Sequence, residues 1–210
     1  MPIALIERAD RLGIHATRCY GSSEHPTVAW WPADASVALR ARTDGQPVGG
    51  NEMRVIDDDG IPLGSGMAGE LVTRGAERFL GCLDPALNAG IFTPDGWFRT
   101  GDLAVIDDTG AVTIVGRKKD IVIRGGENIS PSEVEQVLFD HPAIAEVAVL
   151  GFPDPVMGER VAAFLVPRGA DCPDVAALVD WFAARGASRF KTPEKVIRLD
   201  SLPRGPGARC

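Results

Sequence analysis

The chain has 210 residues, of which 45% are hydrophobic and 24% charged, as in a globular protein with one large domain or two small ones. Its formal net charge of -7 disfavours a nucleic-acid-binding surface. The four cysteines form no C-x-x-C pair and there are three histidines, so zinc, redox and His-rich metal sites are disfavoured. The absence of a long apolar run and of a signal-peptide pattern predicts a cytoplasmic protein without a transmembrane segment.

The first half of the chain predicts one helix followed by short strands. Residues 3–12 have the spacing of an amphipathic helix that ends at Gly13, and residues 14–19 predict a strand that leads into a turn. Residues 43–50 predict a Gly/Pro loop. Further strands are predicted over Met53–Asp57, Gly69–Arg74, Leu103–Ile106 and Val112–Val115, the last two joined in a hairpin by the turn 107–110. This half therefore predicts a small antiparallel β subdomain.

The second half predicts a compact α+β lobe that starts near residue 119. Ser130 at the N-cap, Pro131 at the first helical position and Glu133 at the third predict a capping box and a helix that runs to 141–142. A second helix is predicted over residues 174–186 from its apolar face. Strands are predicted over residues 121–124, 144–151, 160–167 and 196–199.

The run Y-G-S-S-E at residues 20–24 places an aromatic ring, two hydroxyls and a carboxylate directly after a strand. The ring of Tyr20 could cover a purine, the hydroxyl of Ser23 could donate to a phosphate oxygen, and Glu24 could hold Mg²⁺, which prefers substrate phosphates for its other ligands. Gly21 supplies the turn. An ordinary surface turn fits the same residues, so this motif alone decides nothing.

Three further motifs follow between residues 96 and 135. In F-R-T-G-D, Asp102 offers a carboxylate that accepts two hydrogen bonds, as vicinal ribose hydroxyls require; a turn aspartate is the alternative. In G-R-K-K-D, Arg117 and Lys119 form a basic cluster, with a solvated basic run as the alternative. In R-G-G-E-N-I, Gly125 and Gly126 lack a Cβ, so a ligand can approach the backbone closely.

Taken together, Y-G-S-S-E, G-W-F-R-T-G-D-L, G-R-K-K-D and R-G-G-E-N-I-S-P-S-E-V-E resemble the adenylate-forming (AMP-binding) enzymes, specifically the acyl-CoA ligases. The resemblance covers nearly all of this chain but only the C-terminal two-fifths or so of a full ligase. It implies that residues 1–118 are the C-terminal part of the large AMP-binding domain. Residues 119–210 would be the small mobile domain that forms a lid, and the whole an α/β (α+β) structure.

The resemblance also implies a reaction and its partners. A carboxylic acid and Mg-ATP would give acyl-AMP and pyrophosphate, and the thiol of CoA would then displace AMP to form acyl-CoA. ATP, Mg²⁺ and CoA as co-substrate are therefore expected. The wording G-G-E-N-I resembles ligases for medium-chain, cyclic or aromatic acids more than peptide-synthetase adenylation domains.

Roles for single residues are implied by the same resemblance. Tyr20 would lie against adenine, the hydroxyl of Ser23 would meet the α-phosphate, Glu24 would bind Mg²⁺, and Asp102 would hold the ribose. Arg117 would contact the ribose or phosphate side.

The remaining implied roles concern the second half of the chain. Lys119 would be the hinge between the domains, and Gly125 and Gly126 would line the tunnel for the pantetheine arm of CoA. The family's terminal catalytic lysine falls at Arg209, and arginine is planar and does not reproduce the point charge of lysine.

The sequence departs from the family pattern in a second way, since it contains no Ser/Thr/Gly-rich loop with lysine for the β- and γ-phosphates. We therefore expect a truncated chain that lacks full activity. The alternative is a non-catalytic remnant that binds adenylate or CoA, docks on a partner, or self-associates through the surface left by the missing part. A third possibility, the end of a peptide-synthetase adenylation domain, requires a carrier protein downstream.

Overall fold

A computed structural model describes residues 3–204 of the chain. The chain divides into two compact units, one ending at Lys118 and the other beginning at Lys119. The chain combines helices with largely antiparallel sheets, which confirms the predicted α+β class. Within residues 3–204, every helix is too short or too polar to cross a lipid bilayer.

Over residues 3–118, the first unit holds two helices and seven strands, with a short 3-10 turn at Pro85–Asn88. The helices are α1 (Ile3–Arg11) and α2 (Val37–Arg42). The strands are β1 (Cys19–Tyr20), β2 (Ala29–Trp30), β3 (Gln46–Pro47), β4 (Glu52–Ile56), β5 (Ala68–Arg74), β6 (Phe98–Ile106) and β7 (Val112–Arg117).

The main sheet of this unit has the strand order β4-β5-β6-β7, and β1, β2 and β3 form a separate small sheet. Every pairing in the two sheets is antiparallel, as predicted for this half. The predicted hairpin is confirmed: Asp107 Oδ1 accepts hydrogen bonds from the backbone N–H groups of Thr109 (2.9 Å) and Ala111 (3.0 Å). This local bonding closes the turn between β6 and β7. The core beneath the sheet contains Ala29, Val55, Leu71, Ala104 and Val112.

The strand predicted over residues 14–19 is wrong, since only Cys19 and Tyr20 join a sheet. Residues 14–18 do not pair with a neighbouring strand. Instead, the backbone N–H of Arg18 donates to the carbonyl of Arg40 in α2, at 3.0 Å. The Arg18 guanidinium forms two hydrogen bonds of 2.8 Å with Asp44. A strand needs a partner strand for its backbone groups, and here a helix end and a side chain take that place.

As far as residue 204, the second unit holds two helices and five strands. The helices are α3 (Pro131–Phe139) and α4 (Val175–Ala184). The strands are β8 (Val122–Arg124), β9 (Glu127–Ile129), β10 (Ile144–Asp154), β11 (Gly158–Pro167) and β12 (Lys195–Arg198). Short 3-10 turns lie at Lys118–Asp120, at the boundary between the units, and at Arg189–Lys191.

The sheet of the second unit has the order β10-β11-β8-β9, with β12 parallel to β11. Apolar residues of both helices and of the sheet form one core. It contains Val122, Ile129, Val134, Leu138, Ile144, Val149, Val161, Ala163, Leu165, Leu178 and Phe182. This continuous core makes the second unit a compact body.

One local prediction in this unit is corrected by the structure, and another is extended. Ser130 is the N-cap of α3, but its side chain accepts no capping hydrogen bond, and Glu133 pairs with Lys191 instead of closing a capping box. The stretch predicted as a ligand-binding loop also contains β9, which pairs with β8. Gly125 (φ 57°) and Gly126 (φ 88°) are the two central residues of this hairpin, where positive φ favours glycine.

Candidate functional site

The candidate site of the first unit is built on an irregularity in β6. Glu70 of β5 pairs with Leu103, whereas Val72 pairs with Arg99, so β6 carries extra residues between these two pairs. Gly101, within that bulge, has a φ of 71°. Bulges redirect side chains and are frequent beside functional sites.

Thr100 fixes the shape of the bulge. Its hydroxyl donates to the carbonyl of Leu71 at 2.8 Å and accepts from the backbone N–H of Asp102 at 3.0 Å. The side chain therefore replaces ladder bonds that the bulge interrupts. As a result, the carboxylate of Asp102 has a defined direction.

Asp102 brings together residues that lie far apart in the sequence. The Tyr20 hydroxyl donates to Oδ2 at 2.7 Å, and Arg117 Nε donates to Oδ1 at 2.6 Å. Asp102 is only 7% exposed, whereas the Arg117 side chain is 49% exposed. An ionised carboxylate has roughly four acceptor positions, so Asp102 can still accept hydrogen bonds from a ligand's hydroxyls. The three residues predicted for adenosine recognition thus form one cluster, and their ligand roles remain predictions.

Burial of the Tyr20 ring raises the pKa of its phenol well above the ordinary value of 10.0. The neighbouring Thr100 hydroxyl acts in the opposite direction, while the hydrogen bond to Asp102 and the carboxylate charge raise the pKa further. The phenol is therefore a neutral hydrogen-bond donor at physiological pH. Its ring packs against the apolar core of the first unit.

The loop after Tyr20 is a tight turn. The N–H of Ser22 donates to the carbonyl of His25 at 2.9 Å, and the N–H of His25 donates to the Ser22 hydroxyl at 3.2 Å. A Cβ on Gly21 would lie 1.9 Å from the carbonyl oxygen of Pro26, so a side chain at that position is sterically excluded. Gly21 is thus required by close packing of the loop.

His25 belongs to the core rather than to an open pocket. It is 1% exposed, its Nδ1 lies 2.9 Å from the Thr73 hydroxyl and its Nε2 lies 3.1 Å from Asn51 Oδ1. A Cβ on Gly75 would lie 1.9 Å from that same oxygen of Asn51. The histidine therefore anchors the loop that carries Ser23 and Glu24, both of which are exposed.

The expected Mg²⁺ ion would have a single protein carboxylate, that of Glu24, as its ligand. Within residues 3–204 no group of three or more His, Cys, Asp or Glu side chains could enclose a metal ion. Glu24 offers a single exposed carboxylate, and Mg²⁺ is commonly held by one or two carboxylates together with substrate phosphates. Glu24 could supply such a ligand to a phosphate-bound ion.

A second charged cluster in this unit surrounds Glu70. Glu70 is 5% exposed and accepts from Arg99 Nη1 at 2.8 Å. Lys118 Nζ lies 3.4 Å from Glu70 and 2.8 Å from Asp58, whose hydrogen bond raises the Lys118 pKa. The roles of Arg99 and Lys118 were missed, although the two residues lie within the motifs F-R-T-G-D and G-R-K-K-D. This cluster anchors the last residue of the first unit.

The other predicted site residues belong to the second unit, and one of them lies outside the described residues. Lys119 is exposed within the 3-10 turn at the boundary. Gly125 and Gly126 form the β8–β9 turn, as described above. Arg209 lies outside the described residues, so its predicted catalytic role stays a prediction from sequence.

The Tyr20 phenol provides a direct test of the cluster, because it is the chain's single tyrosine. We expect tyrosinate absorbance to appear at higher pH in the folded protein than in the urea-unfolded protein. Asp102→Asn should lower the Tyr20 pKa, because it removes the carboxylate and leaves the charge of Arg117 in place. Equal ionisation midpoints for folded and unfolded protein would contradict the buried cluster.

The same shift sets a pH dependence of stability. The Tyr20 phenol ionises near pH 10.0 in the unfolded chain and at higher pH in the folded chain. Its contribution to the free energy of unfolding is therefore complete below pH 10.0. It is lost as the pH rises towards the raised folded pKa. Urea unfolding followed across this range should reveal the loss in the wild-type protein and a smaller loss in Tyr20→Phe.

Comparison with known proteins agrees with the architecture. Residues 133–206 match the family described as AMP-binding enzyme C-terminal domain. The chain is 40% identical to triostin synthetase I of Streptomyces triostinicus over 206 residues, covering 97% of this chain and 39% of that protein. It is 35% identical to the medium-chain fatty-acid–CoA ligase of Escherichia coli strain K12 over 206 residues, covering 97% of this chain and 36% of the ligase.

A solved structure extends the similarity to the backbone. O-succinylbenzoate coenzyme A synthetase (MenE) from Bacillus subtilis, in complex with ATP and magnesium ion, matches with a TM-score of 0.87 and 30% identity. The match covers 100% of this chain and 43% of that one. The chain thus spans about two-fifths of the length of the relatives it matches. Both units follow the architecture of these proteins, and the chain belongs to the adenylate-forming, AMP-binding enzymes, the superfamily of the acyl-CoA ligases.

Proposed function

We propose that this chain serves an ATP-dependent acyl-CoA ligase reaction, in which a carboxylic acid and Mg-ATP give acyl-AMP and pyrophosphate, and CoA then gives acyl-CoA and AMP. The observation that carries the proposal is the Tyr20–Asp102–Arg117 cluster. A buried carboxylate held between a neutral phenol and a guanidinium is well suited to accept hydrogen bonds from ribose hydroxyls.

Five candidate site residues of the first unit have a proposed role in binding the adenylate. Asp102 accepts from the ribose, and the half-exposed Arg117 offers charge to the ribose or phosphate side. The Tyr20 ring covers adenine, Ser23 donates to the α-phosphate and Glu24 holds Mg²⁺. The exposure of Ser23 and Glu24 supports these roles, since both side chains can reach a ligand without disturbing the core.

The second unit has a proposed role in the thioester step. Its match to the C-terminal domain of AMP-binding enzymes supports the assignment of residues from Lys119 onward as the mobile small domain. Lys119 is the proposed hinge, because a hinge needs only a few residues that absorb a dihedral change. Gly125 and Gly126 are the proposed contacts of the pantetheine arm, where their lack of a Cβ permits close approach.

CoA is the proposed acceptor rather than a carrier protein. The E. coli relative and the B. subtilis synthetase are both named for CoA chemistry, which supports this choice. The G-G-E-N-I wording favours medium-chain, cyclic or aromatic acids as substrates. A cytoplasmic location is proposed with this chemistry.

The 210-residue polypeptide by itself is proposed to lack full activity. Its sequence contains no Ser/Thr/Gly-rich phosphate loop with lysine, and Arg209 stands where the family places its catalytic lysine. Positioned charges stabilise the transition state of adenylate formation, so their loss is costly. Exposed leucines at positions 80, 83 and 87 support the further proposal that the polypeptide self-associates.

Binding of nucleotides lacking ribose hydroxyls tests the role of Asp102. Wild-type chain should bind ATP more tightly than 2′,3′-dideoxy-ATP by about tenfold to a hundredfold, since a hydrogen bond to a charged group contributes about 1.5–3 kcal/mol. Asp102→Asn should remove most of this difference, whereas Asp108→Asn, an exposed aspartate of the β6–β7 turn, should preserve it. Calorimetric titration measures both. Equal affinities for the two nucleotides in the wild type would refute the ribose assignment.

Product formation tests the activity of the isolated polypeptide. Purified chain, shown to be folded by circular dichroism, is incubated with Mg-ATP, CoA and a panel of aliphatic, cyclic and aromatic acids. We expect no acyl-CoA above the no-enzyme background by mass spectrometry, because the β- and γ-phosphates lack their loop. ATP-dependent thioester would overturn this expectation, and the acid that reacts would identify the substrate.

A further inference from the structure

A closed ring of contacts surrounds the Gly125–Gly126 turn within the second unit. The N–H of Gly125 donates to the carbonyl of Met157 at 2.7 Å. The N–H of Met157 donates to Asp154 Oδ1 at 2.8 Å, and Arg160 Nε donates to Asp154 Oδ2 at 2.5 Å. The ring thus runs from the β8–β9 turn through the β10–β11 turn to a side chain of β11.

Glu194 closes the ring on its other side. Its Oε1 accepts from Arg160 Nη1 at 2.6 Å and from Arg124 Nη2 at 2.8 Å, while its Oε2 accepts from Arg124 Nε at 2.9 Å. Arg124 is the residue directly before Gly125, so the last link is covalent. The backbone N–H of Glu194 donates to the carbonyl of Val161 at 2.9 Å, which ties the carboxylate to β11.

The turn needs such support from outside. The β8–β9 hairpin has three residue pairs, and a short two-stranded hairpin is marginal by itself. Glycine has the largest conformational freedom of any residue, so two adjacent glycines do not rigidify the turn. The bidentate pairing of Arg124 with Glu194 fixes one end of the turn, and the bond from Gly125 to Met157 fixes the turn itself.

The ring holds two guanidinium groups and two carboxylates, so its formal charges cancel. The hydrogen bond from Arg160 to Asp154 and the bidentate bond from Arg124 to Glu194 direct the cations at the ring's own carboxylates. Their side chains are 20% (Arg124) and 33% (Arg160) exposed. This compensation makes the ring a poor phosphate site and a good mechanical support, since no net positive charge is left to attract a phosphate.

We propose that Glu194 and Asp154 are positioning residues that hold the Gly125–Gly126 turn in one conformation for the pantetheine arm of CoA. The ligand in this inference rests on the proposed function, whereas the ring itself rests on the contacts above. Neither carboxylate touches the thiol arm in this account. Both act through the backbone of Gly125.

Amide hydrogen exchange in the ¹⁵N-labelled 210-residue chain tests the ring without any ligand. Glu194→Gln and Asp154→Asn should each speed exchange at Gly125 by about tenfold, since each weakens a hydrogen bond to a charged group. The double variant should exceed the faster single variant by less than about threefold, because both changes open the same ring. Unchanged exchange in Glu194→Gln, or effects that multiply in the double variant, would overturn the proposal.

A matched control separates the ring from general loss of an ion pair. Glu146→Gln removes a carboxylate that pairs with Arg204 in the same unit, outside the ring. Exchange at Gly125 should stay at the wild-type rate in this variant. Amides of Leu165 and Phe182 in the core report whether each variant remains folded. Accelerated core exchange together with Gly125 would indicate global destabilisation and contradict a local positioning role.

A titration with CoA tests the ligand separately. CoA should shift the amide signals of Gly125 and Gly126 in the wild type, and Glu194→Gln should weaken this binding by about tenfold without changing ATP affinity. If CoA leaves the wild-type signals unmoved, the CoA part of the proposed function fails and the ligand is removed from the inference. If CoA binds equally well to both chains, the positioning role is refuted while the proposed function stands.

Discussion

The first unit depends on one buried carboxylate and the groups that hold it. Burial of the Asp102 carboxylate carries a free-energy cost, because a buried polar group that lacks partners is unfavourable. The hydroxyl of Tyr20 and the guanidinium of Arg117 offset that cost from two sides. The same contacts join β1, β6 and β7, so a single acid fixes both the local fold and the direction of the candidate ribose-binding face.

The second unit also contains a carboxylate that is held by side chains from different strands. Glu194 holds two arginines that lie on β8 and β11, and through them it supports a glycine turn. In each unit a carboxylate, Asp102 or Glu194, connects segments that are distant in sequence. Asp102 lies at the candidate ribose-binding face, and Glu194 supports the glycine turn. Partly buried ion pairs of this kind contribute little to stability, and they contribute more to a single local geometry.

Much of the fold could be predicted from local chemistry, and the failures have a common cause. The hairpin at 107–110 was predicted because its turn is closed by its own side chains. The strand predicted over 14–19 was wrong because its hydrogen bonds depend on α2, which sequence periodicity does not place nearby. The second strand of the β8–β9 hairpin was missed because Gly125-Gly126 was interpreted as a ligand loop, although two glycines between short runs also indicate a hairpin turn.

The sequence predicted the identity of the candidate site residues more completely than the contacts between them. Tyr20 and Asp102 were both selected from sequence, but their hydrogen bond spans 82 residues and no local pattern indicates it. The link from Arg124 to Glu194 spans 70 residues and was absent from the prediction for the same reason. Resemblance to a family supplied the candidate residues, and only the three-dimensional structure supplied the contacts between them.

A crystal structure of the chain with AMP would test the central claim most directly. We expect both ribose hydroxyls within hydrogen-bonding distance of the Asp102 carboxylate, with Tyr20 and Arg117 still bonded to it. AMP bound with its ribose away from Asp102, or bound only after the Tyr20–Asp102 hydrogen bond has broken, would contradict the account.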